Sequence, residues 1–171
     1  SGASFSIGQI VEFMVTRSDN TASNIIIGLL GFDYLNSYFK RVGLKNTNLT
    51  RKMMDFKNRS RGVENFTSVE DIGLLLEKMY RNEFINTVYS QKCIKLLKMQ
   101  KVNDRIPKKL PDNAVVAHKT GLERNVCHDA GIVFTKNGDF LICVLTKSKA
   151  DVRNVKDFIA KMALNTYNKY Q

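Results

Sequence analysis

A chain of 171 residues with 43% apolar content is one domain long and can bury a real core. Its longest apolar runs, such as Ile25-Ile26-Ile27-Gly28-Leu29-Leu30, fall well short of the ~20 residues that a membrane-spanning helix requires. A net charge of +11 invites a nucleic-acid reading, but the cations are scattered in small clusters with no zinc pattern or aromatic-rich basic strand, so no nucleic-acid partner is expected.

In chain order, Ser6 to Thr16 reads as a helix, because Ile7, Ile10, Val11 and Met14 recur at helical spacing behind a serine cap. Asp19 or Asn20 caps a second helix, Thr21 to Leu30, which Gly31 breaks. Phe32 to Val42 is a third helix, ended by Gly43. Residues 44–66 lack periodicity and read as a long ordered loop, a kind of segment that is often functional. Thr67-Ser68-Val69-Glu70 is a capping-box pattern that opens a helix through Met79 or Tyr80, and another runs from about Ser90 to Met99.

After Pro107 and Pro111 the period becomes strand-like. Strands are expected at Ala114 to Lys119, His128 to Thr135 and Phe140 to Thr146, with Asn137-Gly138 as a hairpin turn. Asp151 opens a closing helix with Val152, Val155, Phe158, Ile159 and Met162 as its apolar face. Three strands leave exposed edges. Further strands are therefore expected from a missing N-terminal segment or from a second chain. The start Ser1-Gly2-Ala3-Ser4 has neither a basic stretch nor an apolar signal core, so the protein is either cytosolic or has lost an N-terminal part. Three cysteines, Cys93, Cys127 and Cys143, without any C-x-x-C, point to free thiols rather than to a disulfide framework or a metal site.

Two motifs carry chemistry. Ser18-Asp19-Asn20 lies between two helices, and Lys119-Thr120-Gly121 lies at the end of a strand, about 100 residues later. Ser18-Asp19-Asn20-Thr21-Ala22-Ser23-Asn24 resembles the S-D-N-T-A-x-N stretch of class A β-lactamases, and His118-Lys119-Thr120-Gly121 resembles their K-T-G strand. His128-Asp129-Ala130-Gly131-Ile132-Val133 is similar to the neighbouring strand. The resemblance covers nearly the whole chain. It implies an α+β serine β-lactamase/transpeptidase-like fold: a mainly helical part at 1–110, and a sheet with a closing helix at 111–171. Together they form a single domain that lacks its N-terminal strands and nucleophile helix.

It also implies roles. Ser18 and Lys119 are the catalytic candidates, Ser18 relaying a proton between the leaving nitrogen and a lysine. Lys119 and Thr120 offer a cation and a hydroxyl to a substrate carboxylate. Gly121 lets a ligand approach the strand, the Leu122 N–H is an oxyanion donor, and Asn20 binds the acyl amide. Asp19 is expected to be a buried structural cap. No cofactor or metal is implied.

Two features depart from the family. No S-x-x-K motif precedes Ser18. The one match, Ser37-Tyr38-Phe39-Lys40, follows Ser18 and falls on the polar helix face, so it is rejected as the nucleophile. In the loop, where the family places a glutamate in E-x-x-L-N, stands Met53. Asp55 is the nearest carboxylate, and Glu64 reads as a solvated loop charge. His118 and His128 are expected to be structural.

The sequence thus leads to a penicillin-recognising serine hydrolase acting outside the cytoplasmic membrane on β-lactams or D-Ala-D-Ala-type peptides. The chain by itself is expected to be inactive. The alternative is a non-catalytic module that binds β-lactam or cell-wall peptide.

Overall fold

The structure is a computed structural model and describes residues 2–171. Its first three helices are α1 (Ile7–Thr16), α2 (Asn20–Leu30) and α3 (Phe32–Arg41). Ser6 and Gln9 close a reciprocal capping box on α1, satisfying two N–H groups that the helix itself leaves free. Asp19 caps α2 by accepting the Ala22 N–H at 2.8 Å. Contrary to expectation, the Asp19 side chain does this from an exposed position. Gly31 separates α2 from α3 at φ 78°, a conformation available to glycine at little cost.

The segment 44–66 is closed at its neck by paired backbone hydrogen bonds of 2.9 Å between Asn48 and Phe66. It contains one short helix, α4 (Phe56–Ser60), capped by Asp55. Helix α5 (Val69–Tyr80) is capped by Ser68, and Glu70 and Asp71 in its first turn suit the helix dipole. Helix α6 (Thr87–Lys98) starts three residues earlier than the apolar pattern suggests, because Asn86 accepts the Tyr89 N–H and sets the cap.

A 3-10 turn, Ile106–Lys109, leads into β1 (Val115–Glu123), β2 (Val126–Phe134) and β3 (Phe140–Lys147). The sheet is antiparallel in the order β1-β2-β3, and helix α7 (Val152–Tyr167) follows it. Strand β1 is longer than expected. The turn comes at Arg124 and Asn125, the latter at φ 65°, so Lys119-Thr120-Gly121 lies inside the strand rather than at its end.

Alternation splits the sheet into two faces. Val116, Val133, Phe140, Ile142 and Val144 pack with Ile159 and Ala163 of α7. On the other face, Ala117, Ala130 and Ile132 pack with Leu76 of α5 and Leu97 of α6. Phe158 and Met162 of α7 are 53% and 39% exposed, against expectation. The helix turns its small residues Ala160 and Ala163 inward instead, which lets its backbone lie close to the sheet.

Gly131 marks the tightest approach within the sheet. A Cβ there would stand 2.5 Å from both the Ala117 carbonyl oxygen and the His118 Cβ. Neither neighbour is a flexible side-chain end. Gly131→Ala is therefore expected to destabilise the protein by about 3 kcal/mol, the upper range for overpacking, read as a lowered urea midpoint.

Candidate active site

Ser18 sits in the link between α1 and α2 at φ 54°, a left-handed conformation uncommon for a residue with a side chain. This kink turns its hydroxyl toward β1. Lys119 projects from the sheet face that packs on α5 and α6, opposite Ala130. Its Nζ donates to Ser18 Oγ and, at 2.7 Å, to the carbonyl oxygen of Thr120. Ser18 Oγ lies 3.5 Å from Thr120 Oγ1. Two hydroxyls and one ammonium from distant segments thus converge on the free edge of the sheet.

Burial pulls the Lys119 pKa down to about 8; the Asp129 carboxylate opposes that shift and the Arg105 guanidinium adds to it. The unfolded lysine keeps its proton up to its ordinary value of 10.5. Between those limits the unfolded chain binds more protons than the folded one, so Lys119 makes stability rise with pH across that window. Urea midpoints at pH 8 and pH 10 should show that rise, and a Lys119→Met variant should lose it.

The Thr120 carbonyl receives Lys119 Nζ at the unpaired edge of β1. With a period of two, the N–H of Leu122 falls on the same edge, free of the ladder. A Cβ on Gly121 would stand 3.3 Å from Cδ2 of the His128 ring, its cross-strand partner, on the same sheet face as Lys119. Asn20 is exposed on the first turn of α2.

Beneath these groups lies a buried polar layer. Asp129 is fully buried; its Oδ2 accepts the Ile106 N–H at 3.0 Å and its Oδ1 meets His118 Nδ1 at 2.9 Å. The other ring nitrogen of His118 stands 3.0 Å from Asn103 Oδ1. Arg105 is buried beside them, with Nε on Cys127 Sγ at 3.2 Å and Nη1 on Asp104 at 2.8 Å. His128 accepts the Thr146 N–H at 3.0 Å, and burial lowers its pKa.

The loop is tied down on two sides. Asn24 of α2 donates to the Met53 carbonyl at 3.0 Å and accepts the Met53 N–H at 2.7 Å. Arg51, 4% exposed, pairs with Glu64 and with Glu123 of β1, and Arg59 pairs with the same two carboxylates. Glu64 is therefore a bound, half-buried partner and not a solvated charge. Hydrogen bonds from the Asn58 backbone and side chain occupy both oxygens of Asp55 and hold its carboxyl below the usual range. Ser37 is exposed, and its hydroxyl donates to the Tyr34 carbonyl at 2.8 Å.

Residues 1–170 match the Beta-lactamase enzyme family. The chain belongs to that family. It is 26% identical to Beta-lactamase VEB-1 of Pseudomonas aeruginosa, across 99% of this chain and 61% of that protein. In fold it resembles the β-lactamase of Sphaerobacter thermophilus, at a TM-score of 0.90 and 24% identity, over 99% of this chain and 65% of the other. It also resembles PBP-A, at a TM-score of 0.83 and 28% identity, over 98% and 63% of the two chains. A mutant of PBP-A is known as an acyl-enzyme complex with penicillin G. The chain thus spans less than two thirds of the length of these relatives.

Within this β-lactamase-family chain, the structure brings Ser18, Lys119 and Thr120 together, puts Gly121 on the Lys119 face and Leu122 on the same strand edge, and leaves the Asn20 side chain exposed on α2. Sequence reasoning overlooked the polar layer of Asn103, Arg105 and Asp129, and the ion-pair strap of Arg51, Arg59, Glu64 and Glu123. Asn24 was visible as part of the α2 motif, but its grip on Met53 was not.

Proposed function

We propose that this site takes part in acyl transfer through a serine ester, on β-lactams or on acyl-D-Ala-D-Ala-type peptides outside the cytoplasmic membrane. One observation carries the reading: Lys119 Nζ is bonded to Ser18 Oγ between segments that are 101 residues apart. A β-lactam presents a carboxylate beside its reactive carbonyl. Lys119 and Thr120 give that carboxylate a cation and a hydroxyl. Ser18, held on the lysine, passes a proton to the leaving nitrogen. The Leu122 N–H stabilises the developing oxyanion, a contribution worth about 3 kcal/mol for a donor of this kind. Asn20 reaches the acyl amide once ligand is bound. Ser37 is unsuited to the role of attacking serine, with its hydroxyl bonded within its own helix.

A second reading, a binding module without turnover, is favoured by Met53, whose thioether accepts no proton. Incubation with a penicillin tests the ligand site that both readings share. Intact mass is expected to show no covalent adduct on this chain. Saturable binding by calorimetry is expected, and Lys119→Met should abolish it. A mass gain equal to the whole drug would place an acylatable serine within these residues. Binding that is indifferent to Lys119→Met would remove Lys119 from the site.

A further inference from the structure

The contact between Ser18 and Lys119 joins two layers of the fold, the helices and the sheet, and something must hold those layers in register. The segment 100–106, between α6 and the 3-10 turn, touches both sides. At one end, Gln100 is 4% exposed; its Nε2 donates to the Val15 carbonyl at 3.0 Å. The Lys101 N–H donates to the Thr16 carbonyl at 2.8 Å. These carbonyls close α1, two or three residues before Ser18. Gln100 also folds back on its own segment, with Oε1 accepting the N–H groups of Lys101 and Val102 at 2.9 and 3.0 Å. At the other end, Asn103 meets His118, and the Ile106 N–H is held by Asp129. His118 immediately precedes Lys119, and Asp129 is paired with Thr120 in the sheet register.

We propose that segment 100–106 is a clasp, with Gln100, Asn103 and Asp129 as positioning residues that hold Ser18 and Lys119 at bonding distance and keep water from the lysine. None of the three reaches the free edge where a substrate would sit; each acts through a neighbour. One pair of anchors fixes the α1 terminus and the other fixes the strand segment that carries Lys119, so the gap between the two catalytic candidates is set by the length of this segment. The inference deepens the reading of the site as catalytic, yet it concerns the protein without substrate.

The charged groups that act on Lys119 are Asp129 and Arg105, and its depressed proton affinity reports its dry surroundings. Titration of Lys119 Nζ by NMR on the whole chain therefore tests the clasp with no ligand present. The parent midpoint is expected near 8. Gln100→Leu cuts the side-chain tie to Val15 and the bonds that order Lys101 and Val102, which leaves the Lys101–Thr16 backbone bond alone on that side, lets water reach the ammonium, and should raise the midpoint by about one unit toward the free-lysine value. Asp129→Asn removes a favourable carboxylate while the lysine stays buried, and should move the midpoint the opposite way. Ser90→Ala is the control. Ser90 is fully buried near the other end of α6, bonded to the Phe84 carbonyl at 2.9 Å, and its loss weakens the fold without touching the clasp. Its midpoint should equal the parent's.

An unchanged midpoint in Gln100→Leu would overturn the proposal, as would equal shifts in Gln100→Leu and Ser90→Ala. Should Gln100→Leu not fold, Asn103→Ala at an exposed position is read in its place, with a smaller upward shift expected and no shift overturning the clasp. A negative result here leaves the penicillin-binding test untouched, and failure of that test leaves this titration to stand by itself.

Discussion

Asp129→Ala is expected to lower the unfolding free energy by about 3 kcal/mol, with the slope of the urea transition unchanged. The carboxylate is fully buried and serves two donors from different segments, the Ile106 N–H and His118 Nδ1. Alanine leaves both without a partner inside the protein, at roughly 1–3 kcal/mol for each unsatisfied buried group. It also removes the negative charge that offsets Lys119 and Arg105 nearby. Asp129→Asn keeps an acceptor oxygen and about the same volume, so its cost should be about half that of alanine. A loss below ~1 kcal/mol for the alanine variant would mean that water takes over the carboxylate's bonds and that the layer beneath Lys119 is not closed.

What the sequence made legible follows from how local each cause is. Caps at Ser6, Asp19 and Asp151 were readable because the capping oxygen bonds an N–H two or three residues away, so the whole cause lies in one short stretch. The hairpin at Asn137-Gly138 was readable for the same reason. Strand β1 was cut short because Lys119, Thr120, Gly121 and Glu123 look like turn composition, whereas the pairing with β2 carries the strand through to Glu123. The inward face of α7 is not legible from residue size, because close packing against the sheet favours Ala160 and Ala163 over Phe158 and Met162. Arg105, Asp129 and Gln100 had no local signal. A buried polar residue is tolerable only through partners far away in sequence, and a single chain does not announce those partners. Arg51 and Glu64 pair across 13 positions, and Arg51 and Glu123 across 72. Of the candidate site, Ser18, Lys119 and Thr120 are picked out by their resemblance to a family, and the structure sets them within contact of one another; the causes of the layer beneath them lie in three dimensions.

On the acyl-transfer reading proposed above, the fate of an acyl-enzyme turns on Met53. Its main chain is fixed to α2 by both polar atoms of the Asn24 side chain, so a substitution changes the chemistry at that point without freeing the loop. The strap of Arg51 and Arg59 on Glu64 and Glu123 fixes the loop from the other side. Among the described residues the two carboxylates of this loop are both engaged elsewhere. Asp55 is committed to Asn58, and Glu64 to the two arginines. A form of the protein that carries an acylatable serine is therefore expected to react with a penicillin and then stall. Met53→Glu in that form should speed release of the penicilloyl group by about 10²–10⁴-fold, the range for a positioned general base. Intact mass followed over time reads this directly as decay of the adduct. Met53→Gln is the decisive partner variant, because it matches glutamate in size and polarity but takes no proton. Slow decay with glutamine and fast decay with glutamate assigns the stall to the absent base. Equal decay in both would mean that a polar group merely admits water and that proton transfer is supplied from elsewhere, a role open to Lys119, whose proton is held only to about pH 8.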